Sequence, residues 1–220
     1  VSERVRRVFQ DGTTMGDISD VKQGLATGNN DRFLRLWHEL PTTQIGLEIG
    51  SREAANTSRA KWFPYNKGGD YRRWYGNRDY VVNWEKDGAG IRSFGTENGG
   101  KARSRAQNTD FYFRPSVTWT LLSSSYFGAR LLPQGCVFDI NGMSLFAEQD
   151  IQRLALALLD SKIASTLLKI INPTLAFQVG DISRVPVIRP DSEEKVFGVA
   201  DACCVKTRTD WDAYERSWDF

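Results

Sequence analysis

DIQRLALALLDSKIASTLLKIIN, residues 150–172, decides the fold class. Ile151, Leu154, Ala155, Leu158, Ile163, Leu167 and Ile171 recur at helical intervals, with Asp150 as N-cap and Pro173 closing the segment. The spacing predicts two helices, or one broken near Asp160-Ser161, covering one face of whatever precedes them. The preceding chain has a different period. SVTWTLLSS (116–124), SYFGARLLP (125–133) and CVFDING (136–142) read as successive strands. Further upstream, KWFPYNKGGDYRRWYGNRDYVVNW (61–84) reads as short strands divided by turns at Asn66-Lys67-Gly68-Gly69 and Gly76-Asn77, with Tyr80-Val81-Val82-Asn83-Trp84 the best of them. Strands followed by helices give a mixed α+β fold, a twisted β-sheet with helices on one face.

Downstream, Ser183–Ile188 reads as extended, an acidic helix starts near Asp191, and DWDAYERSWDF (210–220) sets Trp211, Tyr214, Trp218 and Phe220 at roughly helical spacing, exposed. The chain divides into a main domain, 1–189, and a C-terminal helical extension, 190–220. It stops while still amphipathic, so a portion of a longer protein is expected. With 220 residues, 40% apolar, it can bury a sizeable core. No apolar run approaches the roughly eighteen residues that cross a bilayer, and VSERVRRVFQDG (1–12) lacks a hydrophobic signal core, so no membrane partner and a cytoplasmic setting are expected. Cys136, Cys203 and Cys204 form neither a disulfide framework nor a CxxC knuckle, and His38 is the single histidine. No metal is expected.

The net charge of +2 hides an asymmetry. Residues 59–114 hold twelve Lys/Arg against six Asp/Glu, whereas residues 191–220 hold four against eight. The first segment is suited to a polyanion. Within 61–84, eight aromatic rings are interleaved with Lys61, Lys67, Arg72, Arg73 and Arg78. Trp62, Phe63, Tyr80 and Trp84 alternate with polar neighbours as buried strand residues do. Cations beside turns, in Asn66-Lys67-Gly68-Gly69 and Tyr71-Arg72-Arg73-Trp74, suit phosphates and base edges instead. GTENGGKARSRAQN (95–108) reads as a loop that stays mobile until something anionic holds it, and DISDVKQGLATGNNDRF (17–33) begins with strand-like Ile18 and Val21 before a tight turn.

Catalytic chemistry finds no foothold. His38 has only Glu39 beside it, without a nucleophile. Pro190-Asp191 and Glu193-Glu194-Lys195 crowd a nuclease's residues into six positions that cannot lie on separate strands. Phe94-Gly95-Thr96-Glu97-Asn98-Gly99-Gly100 lacks the GxG spacing of a nucleotide loop, and Asn172-Pro173-Thr174-Leu175 lacks the second proline and the aromatic of an amino-methylating motif.

GLATGNNDRFLRLW (24–37), the 61–84 stretch, NPTLAFQVGDISRVPV (172–187) and DWDAYERSWDF (210–220) together resemble the C-terminal region of PglX-type adenine-specific DNA methyltransferases of the BREX phage-exclusion systems. The first is also similar to the Gly-x-x-Thr-Gly-x-Asn motif leading into the target-recognition domain of single-chain restriction–modification enzymes of the Eco57I kind. The resemblance implies a DNA target-recognition domain, similar to the specificity domains of type I restriction enzymes. A preceding N-terminal methyltransferase domain would bind S-adenosylmethionine and methylate the N6 of adenine. It assigns Gly24, Thr27, Gly28, Asn30 and Arg32 to the first motif, and Tyr65, Asn66, Lys67, Gly68, Gly69, Arg72, Arg73 and Trp74 to the central one. The contacts expected with double-stranded DNA are Lys67, Arg72, Arg73 and Arg78, with Asn66, Tyr65 and Trp74 beside them and Arg103 and Arg105 as loop phosphate contacts. The alternative is a protein-interaction module, in which the acidic helix and aromatic tail dock another defence subunit or a phage-encoded inhibitor.

Overall fold

A computed structural model describes residues 3–123 and 126–220. The chain begins with α1 (Glu3–Asp11), α2 (Met15–Ile18), β1 (Asp20–Lys22), α3 (Asn30–Phe33), β2 (Leu34–Leu36), α4 (Arg52–Thr57), β3 (Trp62–Asn66), β4 (Tyr80–Asn83) and α5 (Glu85–Arg92). It continues through β5 (Ser116–Trp119), β6 (Ala129–Leu132), β7 (Val137–Phe138), β8 (Ser144–Phe146), α6 (Gln149–Leu159), α7 (Lys162–Ile171), α8 (Val179–Ser183) and α9 (Glu193–Asp212).

The fold is α+β, but the strands form two sheets where one was expected. One is antiparallel in the order β1-β8-β5-β6; the other runs β2-β4-β3-β7 and is antiparallel except where β3 and β7 lie parallel. Side chains alternate across a strand, and β8 uses this to join two cores. Phe146 belongs to a core cluster with Phe33, Phe63, Tyr112 and Phe138, while its neighbour Leu145 belongs to a second with Val117, Trp119, Leu156 and Ile182. Central strands are buried on both faces, so all five residues of β3 are inside. Trp62, Phe63 and Trp84 are core residues, as their alternation suggests, and Tyr80 is half-buried.

The 150–172 stretch forms two helices with the break at Asp160-Ser161. The Ser161 hydroxyl caps α7 by accepting from the Ala164 amide at 3.1 Å. The N-cap of α6 is Glu148, two residues before Asp150. Helix α6 packs on β5 and β6, covering one face of the first sheet, and α9 packs on α6. Ser183, expected in the extended piece, closes α8 instead, and residues 184–188 pair with the start of the chain: the Met15 amide donates to Val185 O at 2.9 Å, and the Val187 amide to Thr13 O at 2.7 Å. Ile18, expected in a strand, closes α2 instead. The strand ends expected at Ser124 and Ser125 lie outside the described residues.

Candidate nucleic-acid interface

Residues 24–28 run beside β7 and hold a second segment against it. The Leu25 amide donates to Phe138 O at 2.8 Å, and Ala26 exchanges both backbone bonds with Arg105, at 3.0 and 2.8 Å. The glycines are required by these approaches. A Cβ on Gly24 would stand 1.9 Å from Phe138 O; Gly28 has φ +71°, and its Cβ would stand 2.5 Å from Arg103 O. Thr27 is buried, its hydroxyl donating to Asn30 Oδ1 at 2.7 Å, and Asn29 caps α3 by accepting from the Arg32 amide at 3.0 Å.

The 95–108 loop is therefore anchored, not loose until a ligand arrives. The Arg103 amide donates to Phe94 O at 2.8 Å, and the Ser104 hydroxyl donates to Ile91 O. Gln107 Nε2 reaches Gly24 O at 2.7 Å, and Asn108 Nδ2 reaches Gln23 O at 2.9 Å. With the backbone tied down at Arg103 and Arg105, their side chains and that of Lys101 are exposed, and none of the three has a carboxylate within 4.0 Å among the described residues. Arg32 flanks them, its guanidinium 5.2 Å from the Phe33 and Phe94 rings and 4.0 Å from Glu97. On the other side of α3, Lys67 and Arg35 share a cleft of about 440 Å³ with Asn30 and Tyr80. Lys67 Nζ lies 5.7 Å from the Tyr80 ring. Two acids, Asp31 and Glu39, also line that cleft, and Glu39 is engaged with the Leu36 amide at 2.8 Å.

The remaining residues singled out in the sequence are placed elsewhere. Tyr65 is buried, with its hydroxyl donating to the Asp139 carboxylate. Burial raises the pKa of both groups, Tyr65 well above its usual range, and Asp139 also accepts from the Asn141 amide at 2.6 Å. Asn66 Nδ2 donates to Thr118 Oγ1 at 2.6 Å and Gly142 O at 2.9 Å, joining the two sheets. Both serve the framework beneath Lys67. Trp74 is half-buried at φ +69°, with backbone bonds of 2.7 Å to Ala129 and Leu131.

Arg72 and Arg78 face the C-terminal segment. Arg72 pairs with Asp210 at 2.6 Å over the Trp211 ring at 5.0 Å. Arg78 stacks on Trp218 at 4.4 Å, lies 3.6 Å from Asp219 and donates to the Tyr75 hydroxyl. In return, Arg216 Nη2 donates to buried Asp79 at 2.9 Å. Trp211, expected to be exposed, is buried, and Trp218 is half-buried; Tyr214 and Phe220 remain outside. The excess of acids in 191–220 thus neutralises part of the excess of bases in 59–114. Arg73 stays exposed, donating to Asp160 O at 3.1 Å. The sequence reading missed Arg35, although the Leu34-Arg35-Leu36 alternation carries its signal.

No family model matches the chain. Over 205 residues, 93% of its length, it is 37% identical to the adenine-specific methyltransferase PglX of Lacticaseibacillus casei (strain Zhang). Over 202 residues, 90% of its length, it is 35% identical to the adenine-specific methyltransferase BrxX of Escherichia coli O9:H4 (strain HS). The chain is related to PglX-type adenine-specific methyltransferases. It spans 17% and 15% of the lengths of these two relatives.

Proposed function

We propose that this chain reads DNA sequence for an N6-adenine methyltransferase of a phage-defence or restriction–modification system of the BREX kind. The observation carrying the proposal is the set of exposed cations Lys101, Arg103 and Arg105, without ion pairs among the described residues, on a segment held where Arg105 exchanges backbone bonds with Ala26 and the Arg103 amide bonds Phe94 O. Cations fixed in this way neutralise phosphates without paying to order a loop, while side chains beside them meet base edges. Arg32 adds to the set. Lys67, Arg35 and Asn30, in the adjoining cleft, are the side chains proposed for base contact. Arg72 and Arg78 belong to the internal ion pairs and are left out of the interface. S-adenosylmethionine and the methyl transfer belong to the rest of the parent protein.

The test is fluorescence anisotropy with a labelled duplex carrying the parent enzyme's target. Affinity should fall about a hundredfold to a thousandfold between about 50 and 200 mM salt, as for four to six neutralised phosphates. Arg103→Ala with Arg105→Ala should weaken binding to target and non-target duplexes alike and flatten the salt slope by about 2. Arg72→Ala should change affinity less than about twofold at matched folding. Duplex binding indifferent to salt and to Arg103 and Arg105 would overturn the assignment.

A further inference from the structure

A cleft of about 390 Å³, sharing no lining residue with the 101–105 segment or the Lys67 cleft, lies between Tyr71 and Arg73, Tyr126 and the start of α7. Its volume falls within the range of small-molecule sites. Two exposed tyrosines stand at its mouth, Tyr71 at 43% and Tyr126 at 65% relative exposure. Their ring centroids are 6.0 Å apart and the planes are inclined at 59°, which leaves ring surface free for a third flat group. Arg73, Lys162 and Lys169 line the same cleft, all three exposed and none with a carboxylate within 4.0 Å among the described residues. Arg73 is held in place by its bond to Asp160 O, at 3.1 Å. Lys162 is the first residue of α7, whose first turn holds no acid. A cation there opposes the helix dipole and weakens the helix unless something anionic compensates it. The one carboxyl in the cleft wall, that of Asp160, turns inward to accept from the Ala129 amide at 2.8 Å.

We propose that this cleft binds an unpaired nucleotide of a nucleic-acid strand, with its phosphates against Arg73, Lys162 and Lys169 and its base against Tyr71 and Tyr126. The cations alone would suit any polyanion. The aromatic pair selects a strand with free base faces, because ring stacking requires a base that is not enclosed in a duplex. Stacking tolerates any base, so the site is insensitive to sequence. It stands apart from the duplex interface and can fail without it.

The test is anisotropy of labelled dT12 and of a blunt duplex with the 220-residue chain, at low salt. Tyr71→Ala with Tyr126→Ala should weaken dT12 binding about tenfold, as should Lys162→Ala with Lys169→Ala. Tyr71→Phe with Tyr126→Phe should retain it, since the rings remain. All these side chains are exposed, so circular dichroism and the thermal midpoint should match the parent chain. Arg103→Ala with Arg105→Ala should leave dT12 binding within twofold while weakening duplex binding. Absence of dT12 binding by the parent chain, or tyrosine and lysine variants that bind it as well as the parent, would overturn the proposal. So would binding of a twelve-residue polyglutamate in place of dT12, which would reassign the cleft to an acidic protein segment. Absence of duplex binding by the parent chain, with its dT12 binding intact, would sink the duplex reading alone.

Discussion

Asp160 caps the C-terminal end of α6 and is buried, with one carboxyl oxygen bonded to the Ala129 amide and the other without a hydrogen-bond partner among the described residues. Burial pushes its pKa up from 3.8 to about 7, against the backbone bond and the charges of Arg73 and Arg130. Arg130 is itself fully buried, and burial lowers its pKa to about 10, so it stays charged at neutral pH. Because the folded value for Asp160 lies above the unfolded one, the native chain holds an extra proton between about pH 4 and 7. Its contribution to stability is intact below about pH 4 and is lost as pH rises through about 7, a change on the order of 4 kcal/mol. Asp160→Asn should remove that dependence. Urea unfolding at pH 4.5 and 7.5 should show the gap between variant and parent shifting in the variant's favour at the higher pH; a constant gap would count against the assignment. The sequence displayed Asp160-Ser161 as a helix break because capping is local. It could not display the burial of Asp160 or Asn66, because the groups that satisfy them, Ala129, Thr118 and Gly142, are distant in the chain.

Among the elements, α9 shows the same division between local and distant signals. Its existence and its acidic start were legible from composition, with Ser192 as the cap found in the structure. Its docking was not legible, because Trp211 meets Arg72 at 5.0 Å and Arg216 at 5.2 Å, and neither distance is encoded by helical spacing alone. The complementary charge totals of the two segments were the available clue. Strand β8 was missed because Ser144-Leu145-Phe146 is buried throughout and shows no alternation of apolar and polar residues, whereas α6 and α7 together offered about six turns of helical period. Trp211→Ala should cost about 3–5 kcal/mol, the range for truncating a buried tryptophan to alanine, and should release Arg72 from its ring. Chemical denaturation measures the loss. If α9 is a detachable extension, the midpoint will stay within experimental error, and limited proteolysis will cleave parent and variant alike.

For the whole molecule, the contacts run across any division near residue 189. Arg72 pairs with Asp210, Arg78 with Asp219 and Asp79 with Arg216, while Trp37 Nε1 donates to Arg216 O at 2.9 Å. The surface that remains basic is what survives after this internal neutralisation, so the proposed DNA face and the stability of the fold depend on the same C-terminal segment. An exchange that respects the contacts must carry residues 3–220. Placed into the matching region of the Lacticaseibacillus casei methyltransferase PglX, that segment should move methylation to a different set of adenines, read by modification-sensitive sequencing of the host genome. An exchange of residues 17–189 alone should give little soluble enzyme, because it would place Arg72, Asp79 and Val185 opposite unmatched partners. The discriminating result is a soluble 3–220 chimera that methylates the recipient's original sites. It would show that the cations around Arg103 hold DNA without selecting its sequence, and base reading would have to be sought outside this chain.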